Sequence, residues 1–428
     1  MLGSAAQNLV TLTDSIFLYH LSEIDFAAIG FVSLFYLTIA AIGYGFSKGG
    51  QILIARRMGE KNFNEVGRTF YDMLYFELAL ALVMFLLITY GCPTLFKWIV
   101  ESPLIYEKSL IYLKYRSWGV FFSYAGVAFI ALYTGMARTK FIMIDTVILA
   151  VVNFVLNYGL VFGNFGLPKM GIGGTALAST IAEGVALLTF IIYTIFDKKA
   201  KALKLFKLHP LDIKLIKQQL NIATPAVAQS VVGLGSWFLF VSLIESLGER
   251  VLAINNVVRI VYLTLSIPCW GFSSAINTIV SNFIGQSKRM AVMPMIWKTA
   301  ILSLTITLAL AIPVTLYPEY LLYPLFGGAD MSLVLDAHPI FKVLLAILAV
   351  FSISSVYFNG LAGTGATFIG LKIQFLCALI YILYIYIIVF HTNGGLPWAW
   401  SAEIVYWVCI FALTYWYLDT KKWHFLKF

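Results

Sequence analysis

YGFSKGGQILIARRMG (residues 44–59) and WGFSSAINTIVSNFIG (residues 270–285) share a Gly-Phe-Ser run and a glycine fourteen residues past the first glycine of that run. Three more pairs fall in the same order. AAQNLV (5–10) matches VAQSVV (227–232), GMART (135–139) matches GLAGT (360–364), and GLP recurs at 166–168 and 395–397. The separations are 226, 222, 225 and 229 residues. A single pair of this kind is weak evidence. Four collinear pairs describe a chain duplicated about its middle.

Composition says what each half is made of. Only 11% of the 428 residues are charged and 61% are apolar, whereas a soluble domain carries about 25% charged residues. The apolar excess runs the whole length, which marks an integral membrane protein. About 20 apolar residues span a bilayer as a helix. Twelve such segments are legible: 3–21, 27–55, 70–96, 117–137, 141–163, 171–196, 221–246, 251–284, 293–324, 340–362, 369–391 and 396–418. The expected fold is all-α, with twelve transmembrane helices in two six-helix bundles. Six helices per half is an even number, so the halves form a parallel repeat, as in some transporters. Residues 1–197 form the first bundle, 198–220 a basic cytoplasmic linker and 221–428 the second bundle. Pro268 and Pro313, inside helices 8 and 9, predict kinks.

The net charge of +9 raises the possibility of a nucleic-acid partner. Its placement argues against one, because the basic residues sit in short loops between apolar spans. Even-numbered loops and the C-terminus hold Arg56, Arg57, Arg68, Arg138, Lys288, Arg289 and Lys372, among others, and the 198–220 linker adds seven lysines. Odd-numbered loops hold fewer, including Lys108, Lys114 and Arg116. This asymmetry places the even loops and both termini in the cytoplasm of a prokaryotic inner membrane. The basic, amphipathic linker is expected along the inner membrane surface. The cysteines show no CxxC spacing, so no disulfide or metal site is expected. The helix 7 preamble NIATPA has no counterpart before helix 1, so the duplication leads us to expect a natural chain that begins upstream of Met1, with a natural family variant as the alternative.

The first segment, NLVTLTDSIFLYHL (8–21), carries one carboxylate, Asp14. Placing an ionised Asp in hydrocarbon costs roughly 2.5–3.5 kcal/mol even on a lenient scale. Asp14 lies seven residues before Leu21, so about 10 Å below the outer surface at 1.5 Å per residue. Asn153 and Asn157 are four apart and share one face of helix 5. Thr175 lies about one turn into helix 6 from the same side. The four polar groups can share one depth, where uptake of a proton or small cation would compensate the carboxylate. A buried helix–helix contact is the competing explanation.

Other intramembrane polar residues also stand out. Lys48 could pair with Asp14 or tune a cavity, or snorkel to the inner interface. Arg259 in helix 8 has the same two options. Glu183 in helix 6 and Glu403 in helix 12 fall at comparable places in the two halves; these acids, with Glu77 and Asp145, could line a path for cations or equally pair with a nearby basic helix end. Tyr36, Tyr44, Trp237 and Tyr262 are among the aromatics that could wall a cavity suited to amphipathic cations.

Three stretches resemble the multidrug and toxic compound extrusion (MATE) transporters. They are QNLVTLTDSIFLYHLSEIDFAAIG (7–30), GQILIARRMGEKN (50–62) and FGLPKMGIGGTALAST (165–180). The resemblance implies two six-helix bundles facing a central cavity, and export of amphipathic organic compounds in exchange for protons or sodium ions. It makes Asp14 the first-helix acid. In the DinF-like branch, which this chain resembles more than the NorM-like branch, that acid groups with polar residues matching Asn153, Asn157 and Thr175. Asn157 stands where some of those members carry a second Asp, which removes an anionic sodium ligand. The acids of the NorM-like second half are missing: Gly233 stands at one position, and AVFSISSVYFNG (349–360) contains none.

These features lead to an expected secondary antiporter, a monomer in contact with membrane lipids and a small amphipathic substrate. No cofactor is expected beyond the coupling H+ or Na+. A flippase for lipid-linked oligosaccharide or peptidoglycan precursor is the alternative. It would need basic residues in the cavity to hold pyrophosphate, and only Lys48 and Arg259 qualify. An enzyme is not expected, since no HExxH, GxSxG or paired catalytic histidine motif is read on a helix.

Overall fold

The fold is that of a computed structural model, which describes residues 2–100, 102–198, 200, 203, 205, 209–245, 247–318, 331–392 and 395–426. All of its regular elements among these residues are helical. In chain order they are α1 (Leu2–Tyr19), α2 (Glu23–Gly59), α3 (Phe63–Ile99), α4 (Pro103–Gly135), α5 (Lys140–Phe162) and α6 (Ile172–Phe196), followed by α7 (Ile213–Glu245), the bent α8 (Glu249–Leu265 with Ile267–Gly285), α9 (Val292–Leu316), α10 (Met331–Gly363), α11 (Thr367–His391) and α12 (Gly395–Asp419). Ten of these helices are long and apolar enough to cross a membrane and the bent α8 makes an eleventh span; α1, of 18 residues, is the twelfth helix among the described residues.

The chain divides into two compact units, Met1–Ala223 and Thr224–Phe428, with the boundary inside α7. In the first unit α4 packs against α2, α3 and α6, and α1 packs against α5, α2 and α6. In the second, α10 packs against α8, α9 and α12, and α11 against α12.

Local chemistry sets the helix ends. Ser22 caps α2 by accepting from the Asp25 amide at 3.0 Å, and Ser102 caps α4 with a proline in its first turn. Gly163 closes α5 at φ 82°, a conformation that favours glycine. The α5–α6 turn is tight: a Cβ on Gly174 would sit 2.5 Å from the Leu160 carbonyl. That close approach lays the inner face of α5 on α6. The opposite face of α5 exposes Val147, Val151, Phe154 and Tyr158, an apolar stripe at helical spacing suited to lipid.

Two expectations shift and one is met. Helix 4 begins at Pro103, not at 117, so Lys108, Lys114 and Arg116 belong to a helix and not to a loop. Helix 7 begins at Ile213, inside the expected linker. The kink expected at Pro268 is present, since α8 bends by 42° at its break. Residues 199, 201–202, 204 and 206–208 of the linker lie outside the described residues. Its described part is tied to α3: the Tyr71 hydroxyl donates to the Leu205 carbonyl, the Asp212 amide donates to Asp72 at 2.9 Å, and Arg68 pairs with Asp212 at 3.0 Å.

Candidate functional site: the Asp14 cluster

Asp14 sits on α1 where it packs against α5 and α6, and its side chain is 1% exposed. The Asn157 Nδ2 donates to Asp14 Oδ1 at 2.9 Å, the Asn153 Nδ2 to the same oxygen at 3.2 Å, and the Ser179 hydroxyl to Oδ2 at 2.7 Å. Asn153 also donates to the Ser179 oxygen at 2.9 Å, and Asn157 Nδ2 to the Asn153 carbonyl at 3.0 Å. Helical spacing explains the grouping. Asn153 and Asn157 are one turn apart on α5 and face α1 together.

The donors are neutral, and no basic side chain is bonded to Asp14 among the described residues. Two amide oxygens, Asn153 Oδ1 and Asn157 Oδ1, and the Thr175 hydroxyl are buried without a hydrogen bond. A buried carboxylate beside unused neutral oxygens is the donor set of a small hard cation or a proton. Rotating either amide about its terminal torsion would exchange N–H for C=O at the carboxylate.

Of the sequence candidates, Asp14, Asn153 and Asn157 come together. Thr175 is fully buried on α6, but its hydroxyl does not bond to Asp14. Ser179, one turn further along, takes that role. Depth alone does not separate the two hydroxyls: Asp14 is five residues in from Tyr19, the end of α1, while Thr175 and Ser179 are three and seven in from Ile172, the start of α6. Lys48 is not among the partners of Asp14.

Glu183 and Tyr36 belong to a second constellation. Arg116 grips Glu183 with two parallel bonds of 2.6 Å, Nη1 to Oε2 and Nη2 to Oε1. The two side chains are 1% and 3% exposed. The guanidinium carbon also lies 3.9 Å from the centre of the Tyr36 ring, a cation–π contact. Gly119 makes room for the pair, since a Cβ there would fall 2.4 Å from Arg116 Nη1 and 2.9 Å from Glu183 Oε2. The sequence reading places Arg116 in an outer loop, and the structure corrects this. It is a buried helical residue because its charge is matched on α6.

The remaining candidates lie apart. Arg259 is half-buried on α8, forms no ion pair among the described residues, and its Nε is without a hydrogen bond. One expectation from sequence needs correcting: a GxSxG spelling is present, GFSKG at 45–49, with Ser47 at its centre. Ser47 occupies the interior of α2 and donates to the buried Glu77 at 2.7 Å, which is not the strand-to-helix elbow that such a nucleophile requires.

A duplicated bundle of membrane helices with a buried carboxylate held by polar side chains belongs among transporters. Comparison with known proteins carries this to a family. Residues 1–159 and 225–387 match the MatE family model, one stretch at the start of each unit. The chain belongs to the MatE family of multidrug efflux transporters. It is 25% identical to a "Probable multidrug resistance protein NorM" of Synechocystis, over 74% of this chain and 69% of that protein. It is likewise 25% identical to a protein of the same description from Thermotoga maritima, over 86% and 79%. Among solved structures, "MATE in the bent conformation" superposes with a TM-score of 0.88 at 19% identity, covering 98% of this chain and 92% of that one. A MOP superfamily transporter from Pyrococcus furiosus superposes with 0.87 at 19% identity, over 100% and 94%. These matches do not favour the flippase alternative.

Proposed function

We propose that the protein is a secondary antiporter. It exports amphipathic, often cationic organic compounds in exchange for protons, or for sodium ions, by alternating access. Asp14 carries the coupling ion, with Asn153, Asn157 and Ser179 as its ligands or relays. The observation that carries this reading is a fully buried carboxylate bonded only to neutral donors. The buried guanidinium of Arg116 is already committed to Glu183. Such a charge is compensated when a cation arrives and exposed when it leaves. A ligand shifts a conformational equilibrium only through its different affinity for the two states, and this site supplies that difference. The even loops and both termini are on the cytoplasmic side, as the basic residues direct. The DinF-like branch suits the Asp14 grouping and the missing second-half acids.

Proteoliposomes test it. An imposed gradient should drive efflux of ethidium, and the ion whose gradient drives it is the coupling ion. Asp14→Asn should abolish exchange with expression and thermal unfolding retained. Normal efflux by that variant would remove Asp14 from coupling.

A further inference from the structure

The second unit holds a cavity of about 190 Å³ between α7, α8, α11 and α12. Its lining is mainly aromatic, with Trp237, Tyr262, Tyr381, Tyr406 and Trp407 surrounding one carboxylate, Glu403. Glu403 is 5% exposed. It accepts from the Tyr381 hydroxyl at 2.8 Å and from the Trp407 indole N–H at 3.0 Å. No lysine, arginine or histidine forms an ion pair with it among the described residues. Trp237 and Tyr262 stack at 6.1 Å with 21° between planes. Trp400 fixes this wall, lying edge-on to Tyr262 at 5.8 Å and donating to Asn255 at 3.0 Å.

Each component selects for the same ligand chemistry. The uncompensated carboxylate demands a positive charge, because a buried ion without a partner is costly. The π faces attract a diffuse organic cation, which sheds water more easily than a metal ion, and aromatic cages are a known solution for quaternary ammonium groups. The volume limits the size. A cavity of about 150 Å³ holds benzene, so this one takes a small alkylammonium headgroup and not a polycyclic dye. We infer that the Glu403 cavity is a binding site for small alkylammonium groups of the trimethylammonium class.

The inference stands apart from the antiport reading, because binding is measured without a gradient. Purified full-length protein in detergent is titrated by calorimetry with choline and with 3,3-dimethylbutan-1-ol, its neutral isostere. Choline should bind at least 10-fold more tightly than the alcohol. Glu403→Gln should weaken choline at least 10-fold and leave the alcohol unchanged. Trp237→Leu should weaken choline about 2- to 30-fold, the range of a cation–π contact. Asp14→Asn should leave choline binding intact, so failure of coupling and failure of this site are separable. Equal binding of the two probes, absence of choline binding, or an unaffected Glu403→Gln variant would each overturn the assignment. The isostere comparison uses the wild-type protein, so it decides the matter even where a variant folds poorly.

Discussion

Each unit buries one glutamate on its last helix, and the two are held in opposite ways. Glu183 in the first unit is neutralised by a forked guanidinium with both side chains out of solvent. Glu403 in the second is bonded to a phenol and an indole. A closed ion pair is a structural clamp whose charge is spent internally. A carboxylate held by neutral donors keeps its charge available to a ligand. Asp14 belongs with Glu403 in this respect, although it lies in the same unit as Glu183. The largest effect should follow from breaking the clamp. Arg116→Met strands a buried carboxylate, which costs about 3–5 kcal/mol, and should lower the thermal unfolding temperature in detergent by many degrees. Glu403→Gln strands no opposite charge and should cost about 1 kcal/mol. Equal losses in the two variants would erase the contrast. The double variant Arg116→Met/Glu183→Leu should recover most of the stability, since replacing a buried ion pair by apolar groups is often neutral.

A smaller effect tests the same clamp without touching either charge. Gly119→Ala pushes a methyl group into the space of Arg116 Nη1 and Glu183 Oε2. Overpacking of this kind costs about 1–3 kcal/mol. In the second unit, Gly235 has nothing within 4 Å of a built Cβ, so Gly235→Ala should be close to neutral or slightly stabilising, as glycine is a poor helix former. Thermal unfolding of the two variants side by side measures the difference.

The architecture was legible because its signals are strong: long apolar runs, collinear repeats and basic loops. Asp14, Asn153 and Asn157 were legible because one carboxylate in oil and an i, i+4 amide pair fix a face and a depth. Ser179 lies in the same motif, FGLPKMGIGGTALAST, as Thr175, but the family resemblance points to Thr175, and nothing in the linear pattern says which of two hydroxyls one turn apart meets the carboxylate. Arg116 was misplaced for a related reason. Hydropathy averages penalise a charge, so the polar first turns of α4 read as loop. Pairing across helices, which neutralises Arg116, is not visible in a linear pattern. The aromatic lining of the Glu403 cavity comes from four helices far apart in the chain, and only folding brings them together.

The finest distinction lies between two hydroxyls one turn apart on α6. Ser179 donates to Asp14, whereas the Thr175 hydroxyl is buried and unbonded. Ser179→Ala removes one of three donors from a carboxylate that keeps the two asparagines, so it should cost about 1–2 kcal/mol and alter the coupling-ion dependence of efflux. Thr175→Val removes a hydroxyl that forms no bond in this state and keeps its shape. Its stability should change by less than about 0.5 kcal/mol, since losing an unsatisfied buried polar group is near neutral or favourable. Thr175 acquires a role only if the cation-loaded site turns its oxygen toward the ion. A Thr175→Val variant with normal stability but a weakened response to the driving ion would show that it does, and would put five residues in the Asp14 site instead of four. An unchanged response would leave neutral-donor support at Asp14 to Asn153, Asn157 and Ser179, three donors against the two that hold Glu403.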